Sequence, residues 1–275
     1  MIGTSLLYKD CYLIYIDRLG TKFLINEADK IYENRIGFYE MSPLYSDTYE
    51  IFKEIFDNEF KFFGFSDTVI AVPSINDLEK IYKSASKAFV RLLGYSIANR
   101  IYITYGDFAF HRFEDITIDN DNFICPIYGT TVLNAHEMDE KKIECLGIFV
   151  HNSVPDKSNV INNAKFNDKD IGGLIDIEKY LSEEERKDLK SFIEEKIKVE
   201  EVEKSIDDYL QSGHGTISTQ MFENMEIPNK ERIEILGDVF KRKKLNNQAT
   251  LSYYRNLKSA IIEKNEIIIK INNSV

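Results

Sequence analysis

The stretch Cys11–Gly20, CYLIYIDRLG, sets six uncharged, β-rich residues in front of Asp17 and a glycine turn behind it. An unbroken apolar run of this length and composition reads as a strand buried on both faces. Asp17 then stands at the strand exit, and Gly20 turns the chain. The segment predicts a central strand that presents a carboxylate at its end.

Working outward, helical spacing follows around 23–39 and 48–56, with Pro43 and Ser46 between the two. Residues 60–72, FKFFGFSDTVIAV, hold two β-rich halves flanking Gly64 to Asp67, and the polar Ser66-Asp67 pair marks a hairpin tip. A second carboxylate is thus predicted at a strand end. Asn76 is positioned to cap a helix with Leu78, Ile81, Ala85, Ala88, Phe89, Leu92 and Leu93 on one face, and Gly94 to end it. A strand with an internal Gly106 is expected from Arg100 to Phe110, a turn at 119–122, and a short strand from Ile124 to Tyr128. A helix from Val132 to Lys142 and a strand from Glu144 to His151 complete the series. This order predicts an α+β fold, a ferredoxin-like or palm-type sheet with helices on one face.

Beyond Asn152 the text becomes polar, and residues 155–170 read as a surface loop. Residues 171–181 are expected to return an edge strand to the sheet. Ser182 and Glu185 then form a capping box for a long amphipathic helix with Leu189, Phe192, Ile193 and Ile197 on its apolar stripe. Gly213 to Thr216 breaks it, further helices are expected at 230–243 and 249–264, and the closing NEIIIKI reads as a strand or a helix tail. The expected division is a sheet-bearing domain at 1–180 and a helical C-terminal extension at 181–275.

With 275 residues, 43% hydrophobic and 12% aromatic, the chain is long and apolar enough for a real core. Its 35 Lys and Arg against 46 Asp and Glu leave a formal charge of -11, a surface that repels phosphate backbones and anionic lipid. Nucleic acid and membrane are therefore not expected as partners. A small polyanion is still compatible, because bound cations reverse the field where carboxylates converge. Cys11, Cys125 and Cys145 lack any CxxC or ligand spacing, and no apolar run approaches the length of a membrane span. They read as reduced core residues of a cytoplasmic protein. The four histidines, His111, His136, His151 and His214, have no zinc spacing and read as surface or structural residues.

Chemistry enters through Asp17 and Asp67, 50 positions apart (67 minus 17) on elements that a palm sheet sets side by side. Converging carboxylates repel unless a cation bridges them, which is a physical motive for Mg²⁺ or Mn²⁺. Taken singly, each Asp reads as a turn residue. The flanking phrases, in order, resemble the class III nucleotidyl cyclases. Ile16-Asp17-Arg18-Leu19-Gly20 matches the family's first metal aspartate and glycine turn, and Phe65-Ser66-Asp67-Thr68 loosely matches the second. Arg100 and Gly106 match a strand running from an Arg to a glycine. Tyr128-Gly129 with Ala135-His136-Glu137-Met138-Asp139 follows the helix pattern, and residues 146–150 resemble the strand after it. The resemblance covers residues 12–154.

Carried over residue by residue, it implies that Asp17 and Asp67 bridge two Mg²⁺ or Mn²⁺ ions, with the carbonyl of Arg18 as a further ligand. It implies that the backbone from Arg18 through Leu19 to Gly20 cradles the triphosphate, with Arg100 as a phosphate-facing or structural cation. Other positions depart from the family. The two base-reading positions are Phe63 and Pro126, neither of which reads a purine edge by side-chain hydrogen bonding. The helix Asn and Arg align with Leu133 and Glu137, while Asn134 is displaced by one. The missing Arg calls for another cation, such as Lys22, Lys61 or a C-terminal lysine.

Two expectations follow. In the first, the helix text resembles the prokaryotic branch that includes the pyrimidine cyclases of antiphage Pycsar systems. In that branch a Glu commonly stands at the Arg position, and a bulky Phe63 narrows the pocket toward a single-ring base. The chain is then a cyclase of UTP or CTP, working as the homodimer that the family implies. In the second, the lost side chains mark a degenerate domain that binds a nucleotide or a partner without turnover. Retention of both metal aspartates favours the first.

Overall fold

The structure is a computed structural model that describes residues 2–19, 50–56, 59–65, 68–74, 76–95, 97–114, 123–124, 126–166, 171–202 and 251–271. Gly20, Lys22, Asp67, Cys125 and His214 lie outside the described residues, as do the expected helices at 23–39 and 230–243, the turn at 119–122 and the break at 213–216.

The run that opens the sequence reading is the core of strand β1 (Ile2–Arg18), in which Leu13, Ile14 and Ile16 are fully buried. β1 begins well before Cys11, because residues 2–8 also pair with a second long strand, β4 (Asn99–Glu114). The two halves are separated by a bulge between Tyr8 and Cys11, where Asp10 takes φ 52°. The expected hairpin is formed by β2 (Phe60–Phe65) and β3 (Thr68–Pro73). β3 pairs antiparallel with β1, so β1 lies between two antiparallel neighbours and carries apolar side chains on both faces.

Helix α1 (Leu78–Gly94) connects β3 to β4 and buries Ile81, Ala85, Ala88, Phe89 and Leu92. Its cap is Asp77 and not Asn76: the Asp77 carboxylate accepts from the Lys80 amide at 3.1 Å. Short strands β5 (Phe123–Ile124) and β6 (Ile127–Tyr128) both pair with β4, where one strand was expected. Helix α2 (Thr130–Glu140) starts two residues earlier than its apolar pattern predicts. The cause lies in the side chains of its first turn: Thr130 Oγ1 accepts from the Asp107 amide, and Thr131 Oγ1 donates to the Asp107 carbonyl, both at 2.9 Å.

Strand β7 (Gly147–His151) runs parallel to β4, and β9 (Ile171–Leu174) closes the edge antiparallel to β7. The eight-stranded sheet has the order β2-β3-β1-β4-β7-β9, with β5 and β6 attached to β4. It is the mixed sheet of an α+β fold. Arg100, Tyr102 and Thr104 leave β4 on one face, and all three bond to α2. Tyr12 leaves β1 on the face opposite Asp17 and lies within electrostatic reach of Tyr82 on α1.

After the 3₁₀ turn Ile177–Tyr180, helix α3 (Glu183–Val202) opens on the expected capping box. Ser182 N–H donates to Glu185 Oε2 at 2.7 Å, and Glu185 N–H donates to Ser182 Oγ at 3.2 Å. Residues 251–257 are helical and run into a π turn, Lys258–Ile262. The closing strand β10 (Ile267–Ile269) pairs parallel with β8 (Ala164–Phe166), which lies inside the segment expected to be a loop. Leu257, Ala260, Ile261 and Ile269 are fully buried in the same core as the sheet. Cys11 and Cys145 are buried free thiols, as expected, and burial pushes the Cys11 thiol up to about 11. No helix among the described residues is long and apolar enough to cross a membrane.

Candidate functional site

Asp17 is the penultimate residue of β1, and its side chain follows from strand alternation. Leu13, Tyr15 and Asp17 share one face, as do Arg100, Tyr102 and Thr104 on β4. The register sets Asp17 directly opposite Arg100 on one side and Thr68 on the other. Arg100 Nη2 donates to Asp17 Oδ2 at 2.9 Å and reaches Asp139 Oδ1, on the last turn of α2, at 3.5 Å. Arg100 Nη1 donates to the Ile143 carbonyl at 3.3 Å, and Tyr102 OH donates to Asp139 Oδ1 at 3.3 Å. Arg100 Nε is buried and has no hydrogen-bond partner among the described residues. One guanidinium thus serves two carboxylates.

The Asp17 side chain is only 10% exposed. Burial pushes its carboxyl up to about 7, Asp139 adds to the rise, and Arg100 opposes it. Burial also raises the Tyr102 hydroxyl well above its ordinary value. Tyr102 is therefore a neutral donor to Asp139. Cation pairing is the elementary response to converging carboxylates, and among the described groups Arg100 supplies that cation.

Among the described residues, no three His, Cys, Asp or Glu side chains converge as a metal cluster. Two described groups of the expected ligand set, the Asp17 carboxylate and the Arg18 carbonyl, are hard oxygen donors that suit Mg²⁺ or Mn²⁺. The chemistry of the donor set fits a hard divalent cation. The Arg18 side chain is buried, and Leu19 is tied to the sheet by its amide, which donates to the Ala98 carbonyl at 2.8 Å. The exit of β1 is therefore anchored at Arg18, its last residue, and at Leu19 just beyond it.

The remaining predicted positions are more scattered. Phe63 packs on Phe110 and Phe108, with ring centroids 4.6 and 5.7 Å away. Pro126 instead meets β4 through its carbonyl, which accepts from the His111 amide at 3.1 Å. No described contact joins Phe63 to Pro126. On α2, Asn134 is half-buried, Leu133 is 56% exposed, and Glu137 is exposed. Lys61 is exposed on β2. Away from this region, His111 accepts or donates at both ring nitrogens, to the hydroxyls of Ser5 and Tyr128 at 2.5 Å each, a structural role in keeping with its sequence reading.

Sequence reasoning passed over Tyr102 and gave Asp139 no role beyond the helix phrase. A signal was available for Tyr102, which lies two residues after Arg100 on a strand and so shares its face. No local pattern announces that the last turn of α2 sits over that face.

No protein-family model matches the sequence, and no curated protein is similar to it. Solved structures do resemble it. The crystal structure of the adenylyl cyclase CyaB from P. aeruginosa aligns over 55% of this chain and 80% of its own, at 14% identity and a TM-score of 0.40. A class III adenylyl cyclase-like ATP-binding protein from Pseudomonas aeruginosa aligns over 55% of this chain but only 34% of its own, at 12% identity and a TM-score of 0.39. A guanylyl cyclase aligns over 63% of this chain and 95% of its own, at 11% identity and a TM-score of 0.38. No site residue is transferred from any of them.

Proposed function

We propose that this chain is a metal-dependent nucleotidyl cyclase that converts a pyrimidine nucleoside triphosphate, UTP or CTP, to its 3′,5′-cyclic monophosphate and pyrophosphate. One observation carries the reading. Thr68, the residue that follows Asp67 in the chain, is the register partner of Asp17 on the neighbouring strand. Successive Cα atoms lie about 3.8 Å apart, so the chain position of Asp67 supports convergence of the two aspartates. The class III phrases quoted from the sequence supply the chemistry.

In this reading Asp17, Asp67 and the Arg18 carbonyl hold two Mg²⁺ or Mn²⁺ ions. Bound there, the ions supply activation of the ribose 3′-hydroxyl and neutralise charge on the departing pyrophosphate. The backbone from Arg18 to Gly20 orients the triphosphate, and Arg100 fixes the Asp17 carboxylate at the strand exit. Phe63, whose ring packs on Phe110 and Phe108, is a bulky side chain at the base-reading position of the resemblance, which in this reading favours a single-ring base. Asn134 lies on the helix that follows the base-side residue Pro126. The reading assigns residues 1–180 to the cyclase-like unit and 181–275 to an extension, with a homodimer as the working form. The Pycsar-like helix text supports a second-messenger role in antiphage defence.

A second reading, a nucleotide- or partner-binding module without turnover, is favoured by the burial of Asp17 and its ion pair with Arg100. Incubating purified protein with each of the four ribonucleoside triphosphates and Mn²⁺, and identifying the products by mass, separates the two. A cyclic pyrimidine product that falls at least about 100-fold in Asp17→Ala and in Asp67→Ala is expected. Absence of any cyclic product favours the binding module, and turnover that survives both substitutions refutes the assigned site.

A further inference from the structure

A cleft that the cyclase reading does not use lies between α1 and the helical residues 50–55. Arg91 Nη2, 2.9 Å from Glu54 Oε2, ties the two segments together, and Lys80 pairs with Glu59 just beyond them. The cleft encloses about 380 Å³. That volume falls within the range of small-molecule sites, about 300–1,000 Å³.

Helical spacing sets its lining. Lys80, Lys83, Ser84 and Lys87 recur at three and four residues and so form one stripe of α1, with Ile55 of the shorter helix also in the wall. Lys80 is engaged by Glu59. Lys83 and Lys87 take part in no ion pair among the described residues, although the chain as a whole carries a formal charge of -11. Ser84 is a separate sign of a ligand. It is only 7% exposed, it lines the cleft, and its hydroxyl has no hydrogen-bond partner among the described residues. A buried helical serine commonly returns its hydroxyl to the carbonyl four residues back, and Ser84 does not.

Two carboxylates, Asp77 and Glu79, also border the cleft at the start of α1. The Asp77 carboxylate already accepts from the Lys80 amide. At 1.5 Å of rise per residue, Lys87 stands about 12 Å along the helix from Glu79, which makes the Lys87 end the cationic one. Two ammonium groups and a hydroxyl there match the oxygens of a phosphoryl group, which accept several charge-assisted hydrogen bonds at once. Ile55 offers an apolar surface to whatever carries that group.

We propose that this cleft binds a phosphorylated small molecule, with Lys83, Ser84 and Lys87 on the phosphoryl oxygens and Ile55 against its carbon skeleton. None of these residues belongs to the assigned cyclase site, so the proposal stands or falls apart from that reading.

The test is calorimetric titration of purified full-length protein with UMP and, separately, with inorganic phosphate, in EDTA and about 0.15 M salt. Chelation silences any binding that needs a divalent cation at Asp17. Saturable UMP binding with a Kd below about 1 mM is expected, weakened about tenfold in Lys83→Gln and in Lys87→Gln. Both changes keep most of the side-chain stem and remove the charge. Ser84→Ala is expected to weaken binding about threefold without lowering the melting temperature, since alanine is the better helix former. Lys165→Ala, at an exposed lysine on β8, is the control and leaves the affinity unchanged. Inorganic phosphate that binds as tightly as UMP supports the same site with an inorganic occupant, and weaker phosphate supports an organic ester. Absence of binding by either probe up to about 10 mM overturns the proposal, as does binding that the three cleft variants leave intact or that sulfate matches. A loss confined to Asp17→Ala places the phosphate in the cyclase site, and the proposal then falls while the cyclase reading stands.

Discussion

Asp17 is an acid whose surroundings oppose its charge. Burial and Asp139 push its carboxyl up to about 7 from an ordinary 3.8, against the pull of Arg100. The native protein therefore holds this proton more tightly than the unfolded chain does. Its contribution to stability is fully present below pH 4 and is lost as pH rises toward 7. One proton sets a ceiling of about 1.4 kcal/mol per pH unit on that loss. Asp17→Asn is expected to flatten the fall in stability between pH 4 and 7, as measured by urea unfolding at a series of pH values. An unchanged slope would show that Asp17 ionises normally in the folded chain. The same environment explains why an aspartate so deep in a sheet is tolerated: Arg100 bonds it directly, and the Ile143 carbonyl and Asp139 hold Arg100 in turn.

At the scale of elements, α2 is placed by its N-terminus. Gly129, the cap, takes φ +133°, and a Cβ there would lie 2.2 Å from the Asp107 carbonyl oxygen. Only glycine allows so close an approach of the β6–α2 junction to β4. Thr130 and Thr131 then clamp the first turn to Asp107, and ten residues of helix carry the anchoring forward to Asp139. Gly129→Ala combines backbone strain with a contact against main chain that cannot give way. A loss of roughly 2 kcal/mol or more is expected in urea unfolding. A substitution tolerated within about 0.5 kcal/mol would mean that the junction is not held as described.

At the scale of the whole molecule, the C-terminal segment braces the site from behind. Asn256 Nδ2 donates to the Glu144 carbonyl at 2.5 Å, the Glu144 amide donates to the Lys270 carbonyl at 3.0 Å, and Ile143 bridges to Ile271. Residue 143 supplies the carbonyl that accepts from Arg100, so the described end of the chain reaches the cluster through one peptide segment. Leu257 is fully buried, and its Cδ1 lies 3.9 Å from where a Cβ on Gly147, the register partner of Arg100, would stand. Leu257→Ala is expected to cost about 2–5 kcal/mol and to shift one cooperative unfolding transition. Two transitions, of which only one moves, would show that the residues after 180 unfold on their own.

Much of this was legible in local patterns, because burial on a sheet or along a helix imposes periods of 2 and 3.6 that a sequence must display. The strand at Cys11–Asp17, the hairpin at 60–72, the apolar stripe of α1 and the Ser182–Glu185 capping box are all of that kind. The early start of α2 was not, since it depends on two threonine side chains meeting Asp107 across a gap of more than twenty residues. Nor was the strand at 164–166, whose partner lies a hundred residues away in β10. The sequence alone determined that a carboxylate would stand where the central strand ends. Which groups surround that carboxylate was decided only by the tertiary structure, because a strand face specifies parity but not what packs over it. The meeting of Asp17, Arg100 and Asp139 needs the pairing of β1 with β4 and the seating of α2 at once.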